Sequence, residues 1–219
     1  MNTTLKQPII TYAESTPNPS AMKFVANKIL LENSLPLEFL NPSEAKSSPL
    51  ATALFQFPFV KSVFISGNYI TLFKSDAVEW DDITLELREF LREYLSSGKA
   101  VSTSTFTDLL PVSDSPVHSK EREVGRNGEA EQKNSSVDHA VPTTEIEQKI
   151  IATLEQYVRP AVEQDGGMIV FRSYKEGVVS LLMRGACSGC PSSTVTLKAG
   201  IQAILKKFVP EVTEVVSEA

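Results

Sequence analysis

The chain is predicted to be an α+β protein of two small domains, each a small sheet packed with helices, joined by a disordered polar linker. Three observations predict it. Strand-like alternation and helical stripes follow one another in both halves of the sequence. Residues 99–142 are dominated by Ser, Thr, Asp, Glu, Lys and Arg. The 219 residues, 42% of them hydrophobic, suffice for two modest cores.

The first domain is expected over residues 8–98. Residues 9–14 and 22–26 read as short strands, separated by Ser15-Thr16-Pro17-Asn18-Pro19-Ser20, whose two prolines force an extended turn. Ser48-Pro49 has the form of a helix N-cap followed by proline at the first helical position, with Leu50, Ala53, Leu54 and Phe57 on one side. Residues 60–66 and 69–74 flank Gly67-Asn68, a strong hairpin signal. Trp80, Ile83, Leu87, Phe90 and Tyr94 then recur at helical spacing, with Gly98 at the end. Trp80 is expected in the core.

The linker, residues 99–142, cannot bury enough apolar surface to offset its ordering entropy. Both histidines, His118 and His139, lie in it and read as solubilising residues rather than ligands. The second domain is expected over 143–217. Thr144-Glu145-Ile146-Glu147 fits a capping box, and Ile146, Ile150, Leu154 and Tyr157 form the buried edge of a helix that Pro160 kinks or ends. Asp165-Gly166-Gly167 turns the chain into a strand over 168–174, and Lys175-Glu176-Gly177 turns it back over 178–184. After the cysteine loop, Leu197, Ile201, Ile204 or Leu205 and Phe208 mark another helix, stopped by Pro210, with a last strand over 212–216.

A net charge of -6 and the lack of a dense Lys/Arg tract argue against nucleic acid as a partner. No apolar run approaches the ~20 residues of a membrane span. The first ten residues lack a secretion signal and hold too few arginines for a transit peptide, so a cytoplasmic, reducing location is expected.

Chemistry is concentrated at Cys187 and Cys190, the only two cysteines. They lie between a strand and a helix that Pro191 starts. Unpaired amides at that helix start favour negative charge, so both thiols are expected to be biased toward thiolate. Gly189 lets the backbone curl so that both sulfurs aim at one point. This geometry suits a zinc half-site, an iron-sulfur half-site or a disulfide couple. A thioredoxin-like redox fold is disfavoured by the preceding hairpin and by the short stretch after Phe208. Four ligands commonly hold zinc or a cluster and one chain offers two, so a two-fold dimer would complete the set, with loading driving dimerisation.

The stretches Asp165-Gly166-Gly167 and Gly185-Ala186-Cys187-Ser188-Gly189-Cys190-Pro191-Ser192-Ser193-Thr194, through Leu197-Lys198-Ala199-Gly200-Ile201, closely resemble the NifU C-terminal-like domain of Nfu-type iron-sulfur cluster scaffold and carrier proteins. The first domain resembles that family's N-terminal domain in Ser15 to Phe24 and in Gly67-Asn68-Tyr69-Ile70-Thr71. Ser188 stands where glycine is frequent, and Met168 where an acidic or polar residue is common. The resemblance implies that Cys187 and Cys190 bind a [4Fe-4S] cluster, with [2Fe-2S] a second possible cargo, shared across a homodimer. It further implies a non-enzymatic carrier that receives the cluster from upstream assembly machinery and passes it to apo iron-sulfur client proteins. A dithiol oxidoreductase and a structural zinc dimer are the alternatives. The first domain, without cysteine, histidine or a convergent acidic cluster, is expected to recognise clients or assembly factors.

Overall fold

The computed structural model describes residues 8–31, 36–103, 142, 144–188 and 191–218, with the side chains of 191–194 outside that description. The expected α+β class is found: two separate sheets, each carrying its own helices.

The front sheet has five antiparallel strands in the order β1-β2-β5-β4-β3: β1 Thr11–Ser15, β2 Ala21–Ala26, β3 Leu37–Phe39, β4 Val60–Ser66 and β5 Tyr69–Lys74. The Gly67-Asn68 hairpin forms as expected, with Ser66 opposite Tyr69. Two helices cover one face, α1 (Pro49–Leu54) and α2 (Trp80–Ser96). Ser48 caps α1 through its hydroxyl, which accepts from the Ala51 amide at 3.1 Å. Met22, Phe24, Val63, Ile65, Ile70 and Leu72 point at these helices and meet Leu50, Leu54, Ile83, Leu87 and Leu91. Trp80 is not in this core. It sits half-buried at the edge, because its indole N–H donates to the carbonyl of Pro19 at 2.9 Å.

The rear sheet has three strands, β6 (Gly167–Lys175), β7 (Val178–Gly185) and β8 (Glu214–Glu218), with β7 and β8 parallel. Its helices are α3 (Glu145–Thr153), α4 (Arg159–Gln164) and α5 (Pro191–Phe208). The capping box at Thr144 and Glu147 is present. Between α3 and α4 the helix widens into one π turn over Leu154–Val158. This turn lets the chain pass Pro160 without stopping, and it shifts the apolar stripe by one residue. Val158 is therefore buried where Tyr157 was expected, and Tyr157 instead stacks on the ring of Phe208 at 4.4 Å.

The middle strands are covered on both faces. Helices cover the outer faces, and on the inner faces the sheets cover each other. Val25, Phe64 and Tyr69 of the front sheet pack against Met168 and Val170 of the rear one, with Leu182 beside them. This seam explains why β2 is buried at every position and why Met168-Ile169-Val170-Phe171 is an unbroken apolar run: alternation disappears when both faces of a strand are covered. The expected linker lies, apart from residues 99–103 and 142, outside the described residues, as do His118 and His139. Residues 101–103 return to the front unit, where Ser48 Oγ donates to the Val101 carbonyl and the Thr103 amide to the Ser47 carbonyl.

Candidate metal centre

The cysteine loop leaves the end of β7 and enters α5, which begins at Pro191 as expected. Gly185 has φ +61, and an added Cβ would lie 2.8 Å from the Gly166 carbonyl oxygen and 2.9 Å from Phe64 Cδ1. No larger residue fits that turn. The amide of Ala186 donates to the Gly166 carbonyl at 3.2 Å, and the Ser188 amide to the Gly185 carbonyl at 2.9 Å. Two backbone segments, 164–167 and 185–188, thus lie side by side, and Cys187 sits between them and the rear core.

Cys187 is 6% exposed and packs in the rear core with Val162, Ile201 and Leu205. Its sulfur lies over the Cα of Gly167, where a Cβ would collide with it. Burial, and secondarily the nearby carboxylate of Asp165, push the thiol up from 9.0 to about 12. The thiolate expected from the helix start is therefore corrected for Cys187. It precedes Pro191 by four positions and turns into an apolar core, where desolvation outweighs the helix-terminal field. Gly189 and Cys190 lie outside the described residues. Beside Cys187 an apolar cavity of about 470 Å³ opens between Tyr157, Val162, Leu197 and Ile201, and Pro17 of the front unit closes one side of it. Among the described residues there is no group of three or more His, Cys, Asp or Glu side chains that could hold a metal ion.

The front sheet grips the same two segments. Asn18, 3% exposed, donates both amide hydrogens across the seam, to the carbonyls of Ala186 at 3.3 Å and Ser188 at 3.2 Å. Thr71 Oγ1 donates to the Gly166 carbonyl at 2.7 Å and the Tyr69 hydroxyl to the Gly167 carbonyl at 3.1 Å. Lys23 Nζ reaches the Gln164 carbonyl at 3.1 Å while paired with Glu14 at 3.1 Å. Glu38 accepts from the Gly185 amide at 3.0 Å and faces Arg184 at 3.8 Å. Burial raises the Glu38 carboxyl, and these two partners oppose the shift.

Two family descriptions match the chain. The one for scaffold protein Nfu/NifU N terminal covers residues 10–98, and the one for the NifU-like domain covers 150–216, which contains both cysteines. The chain belongs to the Nfu-type scaffold family. A protein of Drosophila sechellia named NFU1 iron-sulfur cluster scaffold homolog, mitochondrial, is 35% identical over 202 residues, covering 92% of this chain and 62% of the relative. The protein of the same name from Drosophila willistoni is 35% identical over 210 residues, covering 96% and 64%. The solution structure of a NifU-like protein from Saccharomyces cerevisiae is similar at 28% identity and a TM-score of 0.41, covering 48% of this chain and 92% of that one. The chain spans about three fifths of the length of these curated Nfu relatives.

The cytoplasmic location expected from the sequence is overturned. The curated Nfu relatives are named mitochondrial, which points to mitochondria rather than the cytoplasm. No helix among the described residues is long and apolar enough to cross a membrane.

Asn18, Glu38, Tyr69 and Thr71 were not singled out by sequence reasoning as residues near the site. Asn18 had no signal of its own, because asparagine beside proline is ordinary turn chemistry, and its Oδ1 does accept from the Ser20 amide. Glu38 had none, since β3 is only three residues long.

Proposed function

We propose that this chain is a non-enzymatic iron-sulfur cluster scaffold and carrier. Cys187 and Cys190 are its ligands, each chain donates two sulfurs to a [4Fe-4S] cluster, and two chains share that cluster as a homodimer. The observation that carries this reading is that the chain's only cysteines, a Cys-x-x-Cys pair, fall inside the NifU-like match. The names of the curated relatives support it, since they describe iron-sulfur cluster scaffolds. A cluster held by two thiolates per chain has few protein bonds to exchange, which suits delivery to apo client proteins after receipt from upstream assembly machinery. In this reading residues 8–98 form the front domain, 99–142 the linker and 143–217 the cluster domain.

Anaerobic reconstitution with ferrous iron and sulfide tests the proposal. The expected product is a brown dimer with visible sulfur-to-iron absorption, and counting iron and sulfide per dimer distinguishes [4Fe-4S] from [2Fe-2S]. Cys187→Ser and Cys190→Ser are each expected to reduce bound iron to background. A colourless monomer that cycles a disulfide would establish the oxidoreductase instead, and stoichiometric zinc in protein purified without oxygen would establish a structural zinc dimer.

A further inference from the structure

The hydrogen bonds that Asn18, Tyr69, Thr71 and Lys23 send across the seam go to backbone carbonyls, those of residues 164, 166, 167, 186 and 188. Those are the two segments that bracket Cys187. The motif Ser15-Thr16-Pro17-Asn18-Pro19-Ser20 is built to hold Asn18 for this purpose. Thr16 Oγ1 accepts from the Asn18 amide at 3.2 Å, Asn18 Oδ1 accepts from the Ser20 amide at 3.0 Å, and Trp80 fixes the Pro19 carbonyl. With Oδ1 engaged inside its own loop, both Nδ2 hydrogens are left for Ala186 and Ser188. Gly166 and Gly185 fit the grip as well: a Cβ on Gly166 would meet Thr71 Oγ1 at 2.8 Å, and one on Gly185 would meet Phe64.

We infer that the front domain is a clamp on the cysteine loop. Docked, it holds residues 185–188 with the Cys187 sulfur turned inward over Gly167, and cluster uptake requires this docking to open. Asn18 is the positioning residue that couples the two events. Cys187 lies between Ala186 and Ser188, whose carbonyls are both bonded to Asn18, so a swing of this backbone that carries the sulfur outward breaks both bonds. A second chain approaching along the cavity also meets Pro17 of the docked front unit. The inference rests on the carrier reading for its purpose, but the contact itself is testable without iron.

The test uses the reduced, cluster-free full chain. Asn18→Asp keeps the acceptor for the Ser20 amide but replaces two donors with a carboxylate facing two carbonyls. Thr71→Val removes the bond to Gly166 by an independent route. Alkylation of Cys187 by iodoacetamide, read by peptide mass spectrometry, is expected to rise roughly tenfold in Asn18→Asp and less in Thr71→Val, the scale set by losing hydrogen bonds in the seam. Amide exchange should rise in residues 185–188 and stay unchanged in α2, showing that the front unit remains folded. Iron and sulfide uptake should then be faster in both variants than in the unchanged chain. Unchanged Cys187 alkylation in both variants overturns the clamp, and so does slower cluster uptake with intact α2 protection, which would make docking a requirement for loading. Should Asn18→Asp lose protection in α2, Thr71→Val alone decides, by the same two readouts. An unchanged chain that takes up no iron overturns the carrier reading and leaves the clamp to be judged by alkylation.

Discussion

Gly167 and Gly200 are both glycines of the rear unit, yet their surroundings demand opposite things of a side chain. At Gly167 a Cβ would strike the sulfur of Cys187 and come within 3.0 Å of the Arg184 carbonyl oxygen. At Gly200, inside α5, a Cβ would find nothing within 4 Å. Gly167→Ala is therefore expected to cost about 1–3 kcal/mol through overpacking. Gly200→Ala should stabilise by about 0.5–1 kcal/mol, through helix propensity and the lost backbone freedom of glycine. Urea denaturation of the two single variants checks both signs, and equal effects at the two sites would contradict the packing described for Cys187. The same residue scale explains the corrected thiolate expectation. A helix start draws out negative charge only on groups that reach it, and the Cys187 side chain turns into the core instead.

Among the elements, α1 depends on a single hydroxyl. Ser48 is fully buried, its Oγ accepts from the Ala51 amide and donates to the Val101 carbonyl, and so it ties the helix start to the returning segment of residues 101–103. Ser48→Ala is expected to destabilise the protein by about 1–2 kcal/mol, because the Ala51 amide loses its cap and the part-buried Val101 carbonyl loses its donor. A thermal melt within error of the unchanged chain would refute that dual role. Ser48-Pro49, Thr144-x-x-Glu147 and Gly67-Asn68 were legible in the sequence because each encodes its element through contacts within a few residues. The stripe of α3 was legible only up to Leu154. The π turn beyond it answers to Pro160, and the count of residues per turn changes without any local cue as to where. β3 escaped notice for a related reason. A three-residue edge strand has too few positions to show a period, and it is defined by pairing with β4.

For the whole molecule, buried titratable groups link stability to pH. Burial raises the Cys187 thiol to about 12, and burial also pushes the Tyr69 hydroxyl well above its ordinary range. In the unfolded chain the thiol loses its proton near 9.0, while in the folded chain it keeps it. The folded state then holds more protons, so the stability from this thiol is full below 9.0 and falls as pH rises toward about 12. Lys23, Asp165, Glu38 and Arg184 share the seam, and an ionised Tyr69 would forfeit its bond to Gly167. Urea midpoints measured at neutral pH and at a pH between the two thiol values should show this loss, with a shallower slope in Cys187→Ser. A flat profile would mean that the thiol is not buried as described. Local spacing carried the α+β class, the hairpins, the caps and the Cys-x-x-Cys pair, since each is written in neighbouring residues. The face-to-face packing of the two sheets, the inward turn of Cys187 and the reach of Asn18 across 168 residues to Ala186 arise from contacts between distant segments. No local pattern encodes such contacts, because the free energy of covering an inner face is gained only once both sheets exist.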